Sequence, residues 1–144
     1  MTVKHATLTF ERTYPVPPKR VFAAWADPEA KARWFAASAS HELDFRVGGR
    51  EIARGEGPDG RKLTFVGTYH DIVPDARILC VGMLSASDAL CTVSLTTVEF
   101  FADGDGTRLV LIEQGTFLDD AEKPEWREQG IGEQLDRLAK EFQA

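Results

Sequence analysis

The side chains that could do chemistry in this chain are few and scattered. Its three histidines, His5, His41 and His70, fall on different elements, and none pairs with another on a helix or hairpin as metal ligands do. The two cysteines, Cys80 and Cys91, show no CxxC spacing, so no zinc site is expected. No nucleophile, base and orienting group stand in a recognisable set. Only Glu113, Tyr69 and His70 offer a side chain that could serve as a positioned acid or base. The glycine-rich turns lie between strands rather than in the strand–turn–helix setting that cradles phosphate. No catalytic constellation is identified on these grounds, and neither a metal nor a cofactor is expected.

What remains is a polar pair, an aromatic set and two glycines. Arg12 shares the apolar face of an alternating strand with Leu8, Phe10 and Tyr14, and Glu113 sits in the last strand. If those strands are neighbours, the two could meet as a charge-assisted pair. Such a pair either neutralises two partly buried charges or anchors a ligand and holds a perturbed pKa. Trp25, Trp34, Phe35, Phe45, Phe65, Tyr69 and Trp126 supply aromatic surface, most of it for core filling. Trp34-Phe35 is the exception, because it ends a short helix beside Ala36-Ala37-Ser38-Ala39-Ser40, a stretch suited to a mobile lip over a pocket. Gly130 and Gly132 fall inside a helical pattern, where each costs about 1 kcal/mol relative to alanine. Either the helix approaches the sheet closely or kinks there, or the missing side chains leave room for a ligand. An apolar pocket with a few polar groups is the default small-molecule site. Its candidate lining is Arg12, Trp25, Trp34, Phe35, Phe45, Phe65, Tyr69, Glu113, Trp126 and Gly130.

The elements that must position these residues are legible from periodicity. From about Asp119 to Phe142 the large apolar residues Trp126, Ile131, Leu135, Leu138 and Phe142 suggest one helical stripe. Residues 6 to 14 alternate as a strand that Pro15, Pro17 and Pro18 end. Two short helices follow, Lys19 to Ala26 and Glu29 to Phe35, the second capped by Asp27 with Pro28 at its first position. On it, Glu29, Lys31 and Arg33 should face water. Beyond His41 the period returns to two, with turns at Gly48-Gly49, Gly57-Pro58-Asp59-Gly60, Pro74-Asp75, Ser85 to Ala89 and Asp103 to Gly106. The order is strand, two short helices, six strands, long helix: a curved antiparallel sheet laid around one amphipathic helix, in a single domain. Cys80 and Cys91 flank the turn near Ser85-Ala86, where a disulfide is conceivable, although two buried thiols are the expectation.

Composition narrows the partners. A net charge of −6 and a pI near 5.1 argue against nucleic acid or an anionic membrane surface. No run is long enough to span a bilayer, and the first residues carry no apolar signal segment, so a cytoplasmic location is expected. The hydrophobic fraction of 43% and the charged fraction of 28% are ordinary for a globular chain. A charged edge hairpin from Glu42 to Glu56 leaves both monomer and homodimer open.

The run Glu11-Arg12-Thr13-Tyr14, then Pro18, Val21 to Trp25, Asp27-Pro28 and Arg33-Trp34-Phe35 resembles the start of the activator of heat-shock-protein-90 ATPase homologue family. Further matches are Asp44 to Gly49, Ile72-Val73-Pro74, Gly106 to Leu109, Glu113-Gln114-Gly115 and Arg127-Glu128 with Gly130. That family lies within the START-like or SRPBCC superfamily. The resemblance implies the α+β helix-grip fold, with the first strand antiparallel beside the last and the long helix closing the concave face. It implies no single activity, because one scaffold hosts many functions. Three remain: binding of a hydrophobic or amphiphilic small molecule, a cyclase- or aromatase-like enzyme in the same pocket, and a chaperone-ATPase-stimulating interaction protein. The first is preferred.

Overall fold

The computed structural model describes residues 1–37, 39–57 and 59–143. Ser38 of the expected lip and Pro58 of the expected turn therefore lie outside the described residues. The elements run β1 (Val3–Tyr14), α1 (Pro18–Ala26), α2 (Pro28–Phe35), β2 (Ser40–Leu43), β3 (Arg50–Glu56), β4 (Lys62–Val73), β5 (Arg77–Ala86), β6 (Ala89–Asp103), β7 (Gly106–Leu118) and α3 (Pro124–Ala139), which ends in a 3₁₀ turn, Lys140–Phe142. The strands form one antiparallel sheet in the order β1-β7-β6-β5-β4-β3-β2. This is the α+β helix-grip architecture.

Proline and the Asp27 cap set the helix starts. Asp27 Oδ2 accepts a hydrogen bond from the Ala30 amide at 3.0 Å, satisfying one of the orphan donors of α2. Two expectations shift. The long helix opens at Pro124 rather than near Asp119, because Asp119 and Asp120 take positive φ (55° and 54°). Asp119 is instead tied to the amino terminus: its amide donates to Thr2 O, and Thr2 N donates to its carboxylate, both at 2.9 Å. The strand after His41 stops at Leu43, and Gly48-Gly49 is not a two-residue hairpin turn. Those glycines exchange backbone hydrogen bonds with Tyr69 on β4, at 2.8 and 3.1 Å, and Phe45 and Val47 fall in the loop.

The core gathers where α3 ends. Leu8, Phe10 and Tyr14 of β1, Leu109 and Leu111 of β7, and Leu135, Leu138 and Phe142 are buried together with Val21, Phe22 and Trp25 of α1. The Tyr14 hydroxyl donates to Leu135 O at 3.0 Å, and the Tyr14 ring meets Phe142 edge to face at 5.4 Å. The far end of the helical stripe behaves differently: Trp126 is 52% exposed. Cys80 and Cys91 are free thiols. In the β5–β6 register Cys80 faces Thr96, while Cys91 lies beside the turn between Leu90↔Ser85 and Thr92↔Leu84, so the two are not cross-strand partners. No described helix is long and apolar enough to cross a membrane.

Leu138 is 0% exposed, within the core shared by α3 and the sheet. Leu138→Ala is expected to destabilise the fold by about 2–5 kcal/mol through lost burial and a residual cavity, read from the urea midpoint at unchanged m-value.

Candidate functional site

Between α3 and the concave face of the sheet lies a cavity of about 360 Å³. Small residues create it. Ala53 and Gly55 of β3, with Gly67 of β4 and Gly82 of β5, present little side chain along one face. Phe65 lies across the last two: a Cβ at Gly82 would come 2.6 Å from its Cε1, and one at Gly67 3.1 Å from its Cε2. Only glycine leaves space for that ring at position 82. On the helix side Gly130 borders the cavity, and a Cβ there would meet nothing within 4 Å. Trp34, Phe35, Ile78, Leu84, Val98, Leu111, Ile131 and Leu135 complete an apolar wall.

Of the candidate residues, Trp25, Trp34, Phe35, Phe65, Tyr69, Glu113, Trp126 and Gly130 line this cavity; Arg12 and Phe45 do not. Phe45 packs in the core against Phe22 (5.7 Å between ring centroids) and Tyr69 (5.0 Å). Arg12 misses Glu113 because the β1–β7 register sets Leu8, not Arg12, opposite Glu113, and Arg12 opposite Leu109. Its guanidinium lies 3.7 Å from Asp136 of α3 and near the spot a Gly132 Cβ would occupy. The expected Arg12–Glu113 pair does not form.

Two buried ionic clusters take its place. The first is built on Lys31, which does not face water: it is 2% exposed. Helical spacing sets Lys31 one turn before Trp34 and Phe35, so its ammonium lies 4.3 Å from the Phe35 ring centroid, 5.0 Å from Trp25 and 5.3 Å from Trp34. Cation–π attraction of this kind strengthens when water is excluded. Lys31 Nζ donates to Glu51 at 3.0 Å, and the Tyr69 hydroxyl donates to the same carboxylate at 2.9 Å. The His41 side chain is buried too, with Nε2 2.7 Å from Glu51 Oε2. Burial alone would raise the Glu51 pKa, but Lys31 and the hydrogen bonds from His41, Lys31 and Tyr69 outweigh it and hold the carboxyl below its ordinary value. Burial and the Glu51 charge push the Tyr69 phenol up, so it remains a donor. The nearby Cys80 thiol is pushed up to about 12, chiefly by burial, and is a poor nucleophile at neutral pH.

The second cluster centres on Arg127 in the first half of α3. Its Nη1 donates to Glu113 at 3.1 Å, and its Nε and Nη2 donate to Glu122 at 3.0 and 2.8 Å. Thr96 donates to Glu113, and Thr92 to Glu122, each at 2.7 Å. Burial would lower the Arg127 pKa, but Glu113 and Glu122 more than reverse this and raise it, so the guanidinium is a fixed cation. Of the proposed acid/base residues, Glu113 and Tyr69 are thus held in these networks, while His70 is exposed at a β4 bulge. Among the described residues, no group of three or more His, Cys, Asp or Glu side chains is gathered as a metal site would require.

A curved antiparallel sheet gripping a carboxy-terminal helix, with a cavity enclosed between them, defines a START-like domain. The chain belongs to the family described as activator of Hsp90 ATPase homolog 1-like protein, whose model matches residues 15–143. It is similar over 98% of its length to an uncharacterized protein from Rhizobium leguminosarum (39% identity, 96% of that chain, TM-score 0.93). A Rhizobium loti protein shares 41% identity over 98% of this chain and 99% of its own, with a TM-score of 0.90. A Chromobacterium violaceum protein matches at 29% identity, over 96% of this chain and 97% of its own, with a TM-score of 0.81. No protein with a curated description matches the chain.

The Lys31–Glu51 pair carries its own test. Removing one member of a buried ion pair strands the other charge, so Glu51→Gln is expected to cost about 3–5 kcal/mol near neutral pH. The folded carboxyl titrates below its ordinary value. Its contribution is therefore full above that value and is lost as the pH falls through the folded pKa. The gap between wild type and variant should narrow in urea titrations run in strong acid, and a gap independent of pH would contradict the assignment.

Proposed function

We propose that the chain binds a small amphiphilic molecule in the cavity between α3 and the sheet. The observation that carries this reading is the combination of volume and lining. About 360 Å³ falls within the range of small-molecule sites, which are typically apolar with few polar groups. Here apolar walls run between the Lys31–Glu51–Tyr69 cluster and the Arg127–Glu113–Glu122 cluster. A well-packed interior leaves few voids larger than a water molecule, so a space of this size calls for an occupant. Trp126, half exposed, and Glu56, exposed, both line the cavity and give it a mouth to solvent.

Gly130 supplies the experiment. A leucine there would extend into open space on the cavity wall, and it suits a helix better than glycine by about 1 kcal/mol. Gly130→Leu is expected to weaken binding of the uncharged fluorophore N-phenyl-1-naphthylamine at least tenfold while Tm stays level or rises. Equal affinity in the two proteins would remove the cavity from any binding role. Native mass spectrometry of freshly purified wild type, compared with the variant, tests for a co-purified ligand lost on substitution.

A further inference from the structure

The donors and acceptors on the cavity wall are unequally committed. Lining the cavity are two cations, Lys31 and Arg127, and four carboxylates, Glu51, Glu56, Glu113 and Glu122, an excess of two negative formal charges. Both cations are spent. Lys31 is held by Glu51 and Tyr69 and covered by three aromatic rings. Arg127 donates through Nε, Nη1 and Nη2 to Glu122, Glu113 and Ser94. An anionic head group could reach either cation only by displacing a buried carboxylate, leaving that carboxylate desolvated and unpaired.

Glu51 and Glu113 are likewise engaged through both oxygens, but Glu122 and Glu56 are not. Among the described residues, every protein hydrogen bond to Glu122 ends on Oε1, which leaves Oε2 free to meet solvent or a ligand, and the exposed Glu56 accepts no side-chain hydrogen bond. Glu113 and Glu122 share a single guanidinium, so one carboxylate charge on this wall lacks a counter-charge. Lys62 and Lys123 are exposed and do not line the cavity, so solvent and salt screen them.

We infer that the cavity selects amphiphiles whose polar end is an ammonium or a hydroxyl group, and rejects carboxylate, sulfate and phosphate ends. The polar end sits against Glu122 and Glu113, and the apolar body lies toward Trp34, Phe35 and Phe65. This rests on the binding reading above and adds the class of ligand to it.

Three ligands with one tail separate the possibilities: n-octylamine, n-octanol and octanoate, titrated near pH 7 against bound N-phenyl-1-naphthylamine. The expected order is octylamine, then octanol, then octanoate, with the amine at least tenfold tighter than the carboxylate. In Glu122→Gln, checked for an unchanged circular dichroism spectrum, the amine-to-carboxylate ratio should fall at least threefold. Glu56→Gln at the exposed mouth should lower it less, and serves as a second probe if Glu122→Gln does not fold. Octanoate binding as tightly as octylamine would overturn the selectivity and leave the binding reading standing. An unchanged ratio in a folded Glu122→Gln would overturn the carboxylate's role. No displacement by any of the three, together with no uptake of the fluorophore, would overturn the binding reading and this inference with it.

Discussion

The structure depends on α3 being packed apolar to apolar at one end only. Its last turns are sealed against the sheet by Leu135, Leu138 and Phe142, and the Tyr14 hydroxyl holds the Leu135 carbonyl. Side chains from the same half also cap α2: Gln134 donates to Phe35 O and Arg137 to Trp34 O, both at 3.0 Å. Those carbonyls end a helix and would otherwise lack partners. Toward the amino-terminal end of α3 the contacts change character. Trp126 stands half in solvent, Gly130 brings no side chain, and Arg127 reaches the sheet through ion pairs. A helix packed apolar to apolar along its full length would have closed the space that the cavity occupies.

The two ionic clusters sit where a purely apolar core would have been simpler. Buried ion pairs add little net stability over a well-packed apolar alternative, because desolvation offsets the attraction. Their geometry is demanding, however, and both tie elements remote in sequence. Lys31, Glu51, His41 and Tyr69 join α2 to three adjacent strands, and Arg127, Glu113 and Glu122 join α3 to β7 and the segment preceding the helix. Both contribute side chains to the lining of the cavity.

How much of this could be read from the residue string follows the range of the forces involved. Strand alternation, turn glycines and the Asp27 cap are local, and the fold class came from them and from motifs in the right order. Register between β1 and β7 is not local. No tight turn joins those strands to fix their offset, so Arg12 was set against Glu113 when it lies opposite Leu109. Lys31 was assigned to the solvent face because charged residues on a short helix usually belong there. Its partners arrive from β2, β3 and β4, and only the folded sheet brings them together. One signal was present in the pattern itself: Trp126 precedes Ile131 by five positions rather than three or four, which takes it off the stripe that buries Leu135 and Leu138. Glu51 carried a fainter one, since its strand face continues with Ala53 and Gly55, residues too small to shield a carboxylate from whatever packs above.

The Phe65 ring resting over Gly67 and Gly82 has a consequence for how this scaffold diversifies. Because the backbone beneath the ring is bare, the depth of the hollow is governed by one aromatic torsion and two absent methyl groups, not by strand geometry. A relative could reshape its interior by exchanging the aromatic for an aliphatic residue at position 65, and with it a glycine for alanine across the ladder, and leave every backbone hydrogen bond in place. Ligand choice and fold integrity are thereby written into different atoms of the same strands, which allows the contents to diverge while the container persists.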